Sequence, residues 1–308
     1  MNKKFVEYFQ DLNRTRLPRK NGRILCDNKT VVFDGVSPTR SNIEFYTIGK
    51  RNYFGKTWVQ DVSPVSIVTH QMYNDLGIDA PPAFVLDTGV EGAGNNLRTI
   101  TPDVTQLANP ICTHAINFRY LTNTPEFRSA RNKWDILYNE VFRQKLLSYM
   151  TDDCLNQLIK MFLVDELRSE KDRHMGNYFL ARQRGESKYS SVVAIDFDNT
   201  AIMAHQPRSR SEFEEFSYYP NTAFTPSESL VPLYYSESIR DLKEIIGEGA
   251  LTPDQFNTVK NALEYDYAKA IKNFCIRQRL FREAKTAPEP IARLWDYNRK
   301  ELSQELGL

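Results

Sequence analysis

The chain has 308 residues, room for two average domains or one large fold with two lobes, and enough to bury a core without disulfide or metal staples. Its 40 Lys and Arg against 39 Asp and Glu leave no basic excess, which argues against direct nucleic-acid binding. A hydrophobic share of 41% with 12% aromatics is too apolar for a disordered chain.

The first third reads as strands, turns and one helix. Residues 29–33 form a short β-favouring run after an Asp27-Asn28 turn, and 34–42 are turn-forming. Residues 43–48 and 53–59 are two further strand candidates, joined by a turn at 49–52. From Pro64 to Leu76 the period changes: Val65, Val68, Met72 and Leu76 recur at spacings of three and four, a helical stripe that Gly77 stops. Residues 83–86 and 97–100 follow as apolar runs, with a hairpin turn expected over 89–96.

After about residue 105 the pattern turns helical. One helix is expected over 132–150. Thr151 then reads as an N-cap, with Asp152 and Asp153 suited to the positive end of the next helix. Leu155, Leu158, Ile159, Phe162 and Leu163 give that helix its apolar face, and it runs into the charged stretch 168–174. A strand pair is expected at 178–181 and 191–197, and helices at 236–246, 252–282 and 291–306, the last set off by Pro288 and Pro290. The order implies a strand-rich small lobe over 1–105 and a mainly helical large lobe over 106–308, interrupted by one hairpin.

Cys26, Cys112, Cys154 and Cys275 are scattered, and His70, His114, His174 and His205 form no paired metal-ligand spacing. The cysteines read as small buried hydrophobes, no zinc site is expected, and a reducing, cytoplasmic compartment is the expectation. No apolar run approaches the roughly 20 residues a membrane helix needs, and the opening residues, with Lys3 and Lys4 before acidic and polar side chains, do not read as a secretory signal. A soluble protein without stable membrane insertion is the expectation; delivery into a host cell as a secreted effector is not legible either way.

The chemistry gathers around the hairpin. Asp172-Arg173-His174-Met175-Gly176-Asn177 precedes it, and Asp196-Phe197-Asp198 closes its second strand. Phosphoryl transfer needs a carboxylate to accept the proton of an attacking hydroxyl and oxygen ligands for Mg²⁺ on the nucleotide phosphates. An Asp and an Asn five positions apart can serve as base and metal ligand from one tight loop. A second Asp, carried by the apolar run Val192-Val193-Ala194-Ile195, can reach the same ion.

The D-R-H-x-x-N string followed by I-D-F-D resembles the catalytic and metal-binding loops of the protein-kinase-like fold, in its HipA-like and phosphoinositide-kinase-like branches. The match is good over residues 155–200 and holds elsewhere only by element order. The resemblance implies a bilobal α+β fold and an ATP- and Mg²⁺-dependent kinase. Asp172 would be the catalytic base, His174 would shape the loop, Asn177 and Asp196 would bind Mg²⁺, and Asp198 would be a second metal contact or a solvated turn. It also implies a lysine for the phosphates: Lys56 is the first choice and Lys50 the second. A glycine-rich phosphate loop is absent, and residues 35–42 take its place, with Ser37 or Ser41 in the position of the HipA-like serine. The helix at 64–76 offers no Glu to hold the lysine, only His70, Gln71 and Asp75.

A protein Ser/Thr acceptor is favoured, because the segment His205 to Arg210 with Glu212, Glu214 and Glu215 is mixed in charge rather than basic. The HipA-like resemblance suggests a protein antitoxin partner. A lipid kinase and a pseudokinase or scaffold stay open. Asp196-Phe197-Asp198-Asn199-Thr200 also fits the D-x-D-x-T nucleophile string of haloacid-dehalogenase-type phosphatases, with Asp196 as nucleophile and Asp198 as acid/base. That motif opens its fold and needs later parallel strands, whereas 195 residues precede it here.

Overall fold

Strand β3 (Val31–Val36), β4 (Ile43–Ile48) and β5 (Arg51–Thr57), rich in the β-branched and aromatic residues that favour strands, form an antiparallel meander. The turn between β4 and β5 is only two residues long and relies on Gly49 at a left-handed φ of 63°. Gly55 is fixed by packing: a Cβ there would come within 2.5 Å of the Tyr46 ring, which crosses the strand at that point. In this computed structural model the described residues are 19–20, 23–26, 30–38, 43–89, 96–104, 112–117, 133–170, 173, 175–183, 185–197, 217–218 and 233–308.

The meander belongs to a seven-stranded sheet that adds β1 (Arg19–Lys20), β2 (Arg23–Leu25), β6 (Phe84–Asp87) and β7 (Leu97–Pro102), in the order β1-β2-β6-β7-β5-β4-β3. All pairs are antiparallel except β2 with β6. One face carries a small core of Ile24, Val31, Tyr46, Ile48, Tyr53, Leu86 and Ile100. The period of two sends Phe54, Lys56, Thr99 and Thr101 to the opposite face.

Helix α1 (Val62–Asp75) connects β5 to β6 and buries Val65, Val68 and Met72 in the main core. Its C-terminal loop is tied by Asn74, whose amide donates to the carbonyls of His70 and Ala80 (2.9 and 2.8 Å) and accepts from the Ala80 N–H (3.1 Å).

The rest of the main core is mostly helical, with Tyr178, Leu180, Val192 and Ala194 added from strands. It contains α2 (Asp135–Tyr138), α3 (Glu140–Tyr149) and α4 (Asp152–Leu167). Thr151 caps α4 by accepting from the Cys154 N–H (3.2 Å), with Asp152 and Asp153 in the first turn. A three-stranded antiparallel sheet, order β10-β9-β8, is made of β8 (Cys112–Asn117), β9 (Tyr178–Gln183) and β10 (Ser191–Ala194). Two short strands, β11 (Ser217–Tyr218) and β12 (Leu233–Tyr234), precede α5 (Tyr235–Gly247), α6 (Pro253–Glu264), α7 (Tyr267–Arg277), α8 (Glu283–Thr286) and α9 (Pro288–Leu306).

Several elements differ from the sequence reading. The expected helix over 132–150 is two helices, because Asn139 leaves the helical region and caps α3 by accepting from the Phe142 N–H (3.0 Å). The expected 252–282 helix likewise divides at Tyr265-Asp266, where Asp266 caps α7. Asp34 to Val36 belong to β3 rather than to a turn, reached through a β-bulge between Phe33 and Gly35. Pro288 starts α9 instead of ending before it, since a helix's first turn needs no N–H there. Strands β1, β2 and β8 were not expected, and β8 widens the expected hairpin into a sheet. Cys26, Cys154 and Cys275 form no disulfide among the described residues. Among the described residues no helix is long and apolar enough to cross a membrane.

Candidate active site

The site is built around one guanidinium. Arg173 is fully buried, and its Nε and Nη2 donate to the two carboxylate oxygens of Asp165 at the end of α4 (2.8 and 3.3 Å). Its Nη1 donates to the carbonyls of Asn177 (2.5 Å) and Ile195 (2.6 Å). One side chain therefore fixes the helix, the loop before β9 and the residue before Asp196. Ile195 N–H closes the ring by donating to the Asn177 carbonyl (3.1 Å), so Asn177 and Asp196 leave adjacent ends of the β9–β10 pair.

A second set of buried polar groups holds β10. The Asp79 carbonyl accepts from the Ala194 N–H (2.8 Å), and its carboxylate accepts from the Ser191 hydroxyl. Gln157 of α4 accepts from the Val192 N–H (3.0 Å). Burial pushes the Asp79 carboxyl up to about 6, against the lowering effect of the Ser191 hydroxyl.

Asp196 itself has φ 60°, a left-handed conformation that costs a non-glycine residue about 1 kcal/mol and persists because its neighbours fix it. Phe197 is buried between His70 and Tyr73 of α1, each with ring centroids 4.6 Å away, and the Arg173 guanidinium 4.9 Å from its ring.

These residues form one wall of a cleft of about 500 Å³ whose other wall is the seven-stranded sheet. Across it, Lys56 Nζ lies 2.5 Å from Asp196 Oδ1. Asn177 lines the same cleft, as does Ser37 from the loop after β3. Ile43, Phe45, Phe54, Phe179 and Ile195 supply an apolar section able to take a planar base beside this polar end. Among the described residues no group of three or more His, Cys, Asp or Glu could hold a metal ion as an all-protein cage. One carboxylate and one carboxamide are oxygen donors of the kind Mg²⁺ uses when substrate phosphates complete its shell, so Asp196 and Asn177 fit that ion.

Of the residues singled out in the sequence, the structure thus brings together Lys56, Asn177, Asp196 and Ser37. Lys50 lies in the exposed β4–β5 turn and does not line the cleft. Asp172, His174, Ser41, Asp198 and the 205–215 segment lie outside the described residues. Sequence reasoning missed Arg173 as the anchor, although it stands inside the motif, and it missed the packing of α1 on Phe197. Helix α1 brings no carboxylate to the cleft: its only acid, Asp75, is at the far end and accepts from the Tyr265 hydroxyl (3.4 Å).

No protein-family model matches the chain. No curated protein matches it either. Among solved structures it is similar to the proinflammatory kinase CtkA of Helicobacter pylori, at 14% identity and a TM-score of 0.51 over 87% of this chain and 94% of that one. The fold is protein-kinase-like. Weaker likenesses are to HipA of Shewanella oneidensis, solved with HipB and its operator DNA (10% identity, TM-score 0.46, 99% of this chain and 71% of that one), and to the choline kinase LicA of Streptococcus pneumoniae (8% identity, TM-score 0.25, 97% and 98%). Neither adds to the fold assignment. In this fold Asp196 follows a strand paired antiparallel to β9, not the parallel strand that a haloacid-dehalogenase-type nucleophile requires.

Proposed function

We propose that the protein is an ATP- and Mg²⁺-dependent kinase that transfers the γ-phosphate to a hydroxyl group, with a serine or threonine of a protein as acceptor. One observation carries the reading: Lys56 and Asp196, 140 positions apart in the chain, meet across a cleft that Asn177 also lines. Phosphoryl transfer is mostly positioning and electrostatic stabilisation, and a lysine, a carboxylate and a carboxamide beside an apolar slot are the parts it uses.

In this reading Asn177 and Asp196 hold Mg²⁺, with Asp198 as a further contact, and the bound ion supplies neutralisation of phosphate charge. Lys56 binds phosphate oxygens, and Ser37 and Ser41 cover them from the loop after β3. Asp172 takes the proton of the acceptor hydroxyl as its oxygen bonds to the γ-phosphorus and the bond to the leaving ADP oxygen breaks. His174 shapes the loop. The mixed charge of residues 205–215 supports a protein acceptor over an inositol phosphate, and the motif resemblance extends the proposal to a protein partner of antitoxin type.

The test is transfer of label from [γ-³²P]ATP by the full chain, with and without Mg²⁺, to protein, lipid and small-molecule acceptors. Mg²⁺-dependent labelling of protein, reduced about 100-fold or more in Asp196→Asn, is the expected result. Nucleotide binding without transfer to any acceptor would instead favour a scaffold, the reading that the missing helix carboxylate supports.

A further inference from the structure

Kinases of this fold hold the phosphate-binding lysine with a glutamate from the following helix. Here α1 has no such residue, yet His70, only 3% exposed, is among the four α1 residues (Val62, Ser63, Ser66 and His70) that line the cleft with Lys56 and Asp196. Its ring packs edge-on against Phe197, and burial drives its pKa down to about 3, so the imidazole is neutral. A neutral ring carries one proton. The Pro81 carbonyl accepts a hydrogen bond from the ring, and Nδ1 has no hydrogen-bond partner among the described residues. That assigns the proton to the nitrogen facing Pro81 and leaves Nδ1 as a buried lone pair seeking a donor.

A second orphan belongs to another residue of the same cleft. Thr99 is the direct cross-strand partner of Lys56 in the β5–β7 pair, lines the same cleft, and its Oγ1 is buried without a hydrogen-bond partner among the described residues. Residues opposed in this way have Cβ atoms about 5 Å apart, within reach of a lysine side chain. Buried polar atoms left unsatisfied cost stability, so two of them on residues that line the cleft of the Lys56 ammonium call for an explanation.

We propose that His70 Nδ1, with Thr99 Oγ1, forms an uncharged cradle that positions Lys56 on the nucleotide phosphates, in place of the helix glutamate. An ammonium has three donors, enough for Asp196, a phosphate oxygen and a cradle atom. A neutral cradle has a further consequence: it leaves the lysine's positive charge uncompensated by α1, to the benefit of an anionic ligand. His70 is a positioning residue in this scheme and touches no reacting atom. The proposal rests on the kinase reading for the identity of the ligand.

The experiment is calorimetric binding of ATP, ADP and adenosine to the full chain and to four variants. His70→Phe keeps the ring packing and removes the acceptor; His70→Asn keeps an oxygen acceptor near the Nδ1 position; Thr99→Val keeps the shape without the hydroxyl; Lys56→Met removes the cation. His70→Phe should weaken ADP and ATP about 10-fold while leaving adenosine within about twofold, since a hydrogen bond to a charged group is lost only where phosphate is read. Asn at position 70 should retain phosphate affinity, Val at position 99 should lose several-fold, and His70→Phe combined with Lys56→Met should be no weaker than Lys56→Met alone. Unchanged ADP affinity in His70→Phe, or a loss that adds fully to that of Lys56→Met, overturns the cradle while leaving the kinase reading intact. If His70→Phe also loses adenosine it has misfolded, and the Thr99→Val and His70→Asn results decide by the same criteria. Wild-type protein that binds neither ATP nor ADP would overturn the kinase reading itself, and the cradle with it.

Discussion

Arg173 is the residue on which the geometry of the site most depends, and its energetics are lopsided. It is buried against an equally buried Asp165, so removing one partner leaves an uncompensated charge in the core. Arg173→Met should destabilise the protein by about 3–5 kcal/mol, read as a lowered denaturation midpoint, whereas Arg173→Met with Asp165→Leu should recover much of that loss. Labelling activity should stay absent in the double variant, because the Asn177 and Ile195 carbonyls still lack their donor. Asp196→Asn is by contrast a chemical rather than a structural change, since Asn adopts the left-handed region as readily as Asp. These contrasts also mark what a sequence can disclose. Asn177 and Asp196 were legible because their residue types recur at a motif's spacing. Arg173 was not, because two of its three partners are backbone carbonyls, which have no signature in sequence. Lys56 was legible only as a lysine on the third strand of the meander, and its contact with Asp196 is a fact of tertiary packing.

At the level of elements, β10 is held in register by Asp79, Ser191 and Gln157, and this attachment carries a titration. Asp79 has a folded-state pKa of about 6, above the carboxylate's ordinary value, so the folded state binds the proton more tightly than the unfolded chain. Its contribution to stability is therefore fully present below the unfolded value and is lost as pH rises through about 6. The shift corresponds to about 3 kcal/mol. Asp79→Asn, which keeps an acceptor for the Ser191 hydroxyl, should show a stability difference from wild type that grows between pH 4 and pH 6.5 in the variant's favour and is flat above it. Chemical denaturation across that range measures the difference directly. Elements with strong local signals were legible in advance: the Thr151 cap and paired Asp of α4, the apolar stripe of α1 and the β4–β5 hairpin. Those set by distant partners were not. Strand β8 exists through its pairing with β9, β2 through a parallel contact with β6, and the breaks at Asn139 and Asp266 depend on side chains that cap rather than continue a helix.

On the scale of the molecule, α1 lies between the seven-stranded sheet and the C-terminal helices, and it is braced from the helical side. The hydroxyls of Thr69 and Tyr267 hydrogen-bond to each other, Tyr267 also donates to the Val65 carbonyl (3.5 Å), and Thr286 donates to Asp61 just before α1 (2.5 Å). Helix α7 thus fixes the helix that carries His70 and packs on Phe197. Tyr267→Phe, which leaves the Thr69 hydroxyl buried without that partner, should cost about 1–3 kcal/mol and lower the melting midpoint by a few degrees. The same variant should weaken nucleotide binding if α1 must be held in place for the cleft to form. The central claim is that the cleft between sheet and helices holds a nucleotide triphosphate at Lys56, Asn177 and Asp196. The most direct measurement is a crystal structure of the full chain with a non-hydrolysable ATP analogue and Mg²⁺. The account predicts phosphate oxygens at Lys56 Nζ and a cation ligated by Asn177 and Asp196, with the base against Phe45 and Phe54. A nucleotide bound elsewhere, or an empty cleft at saturating analogue, would contradict it.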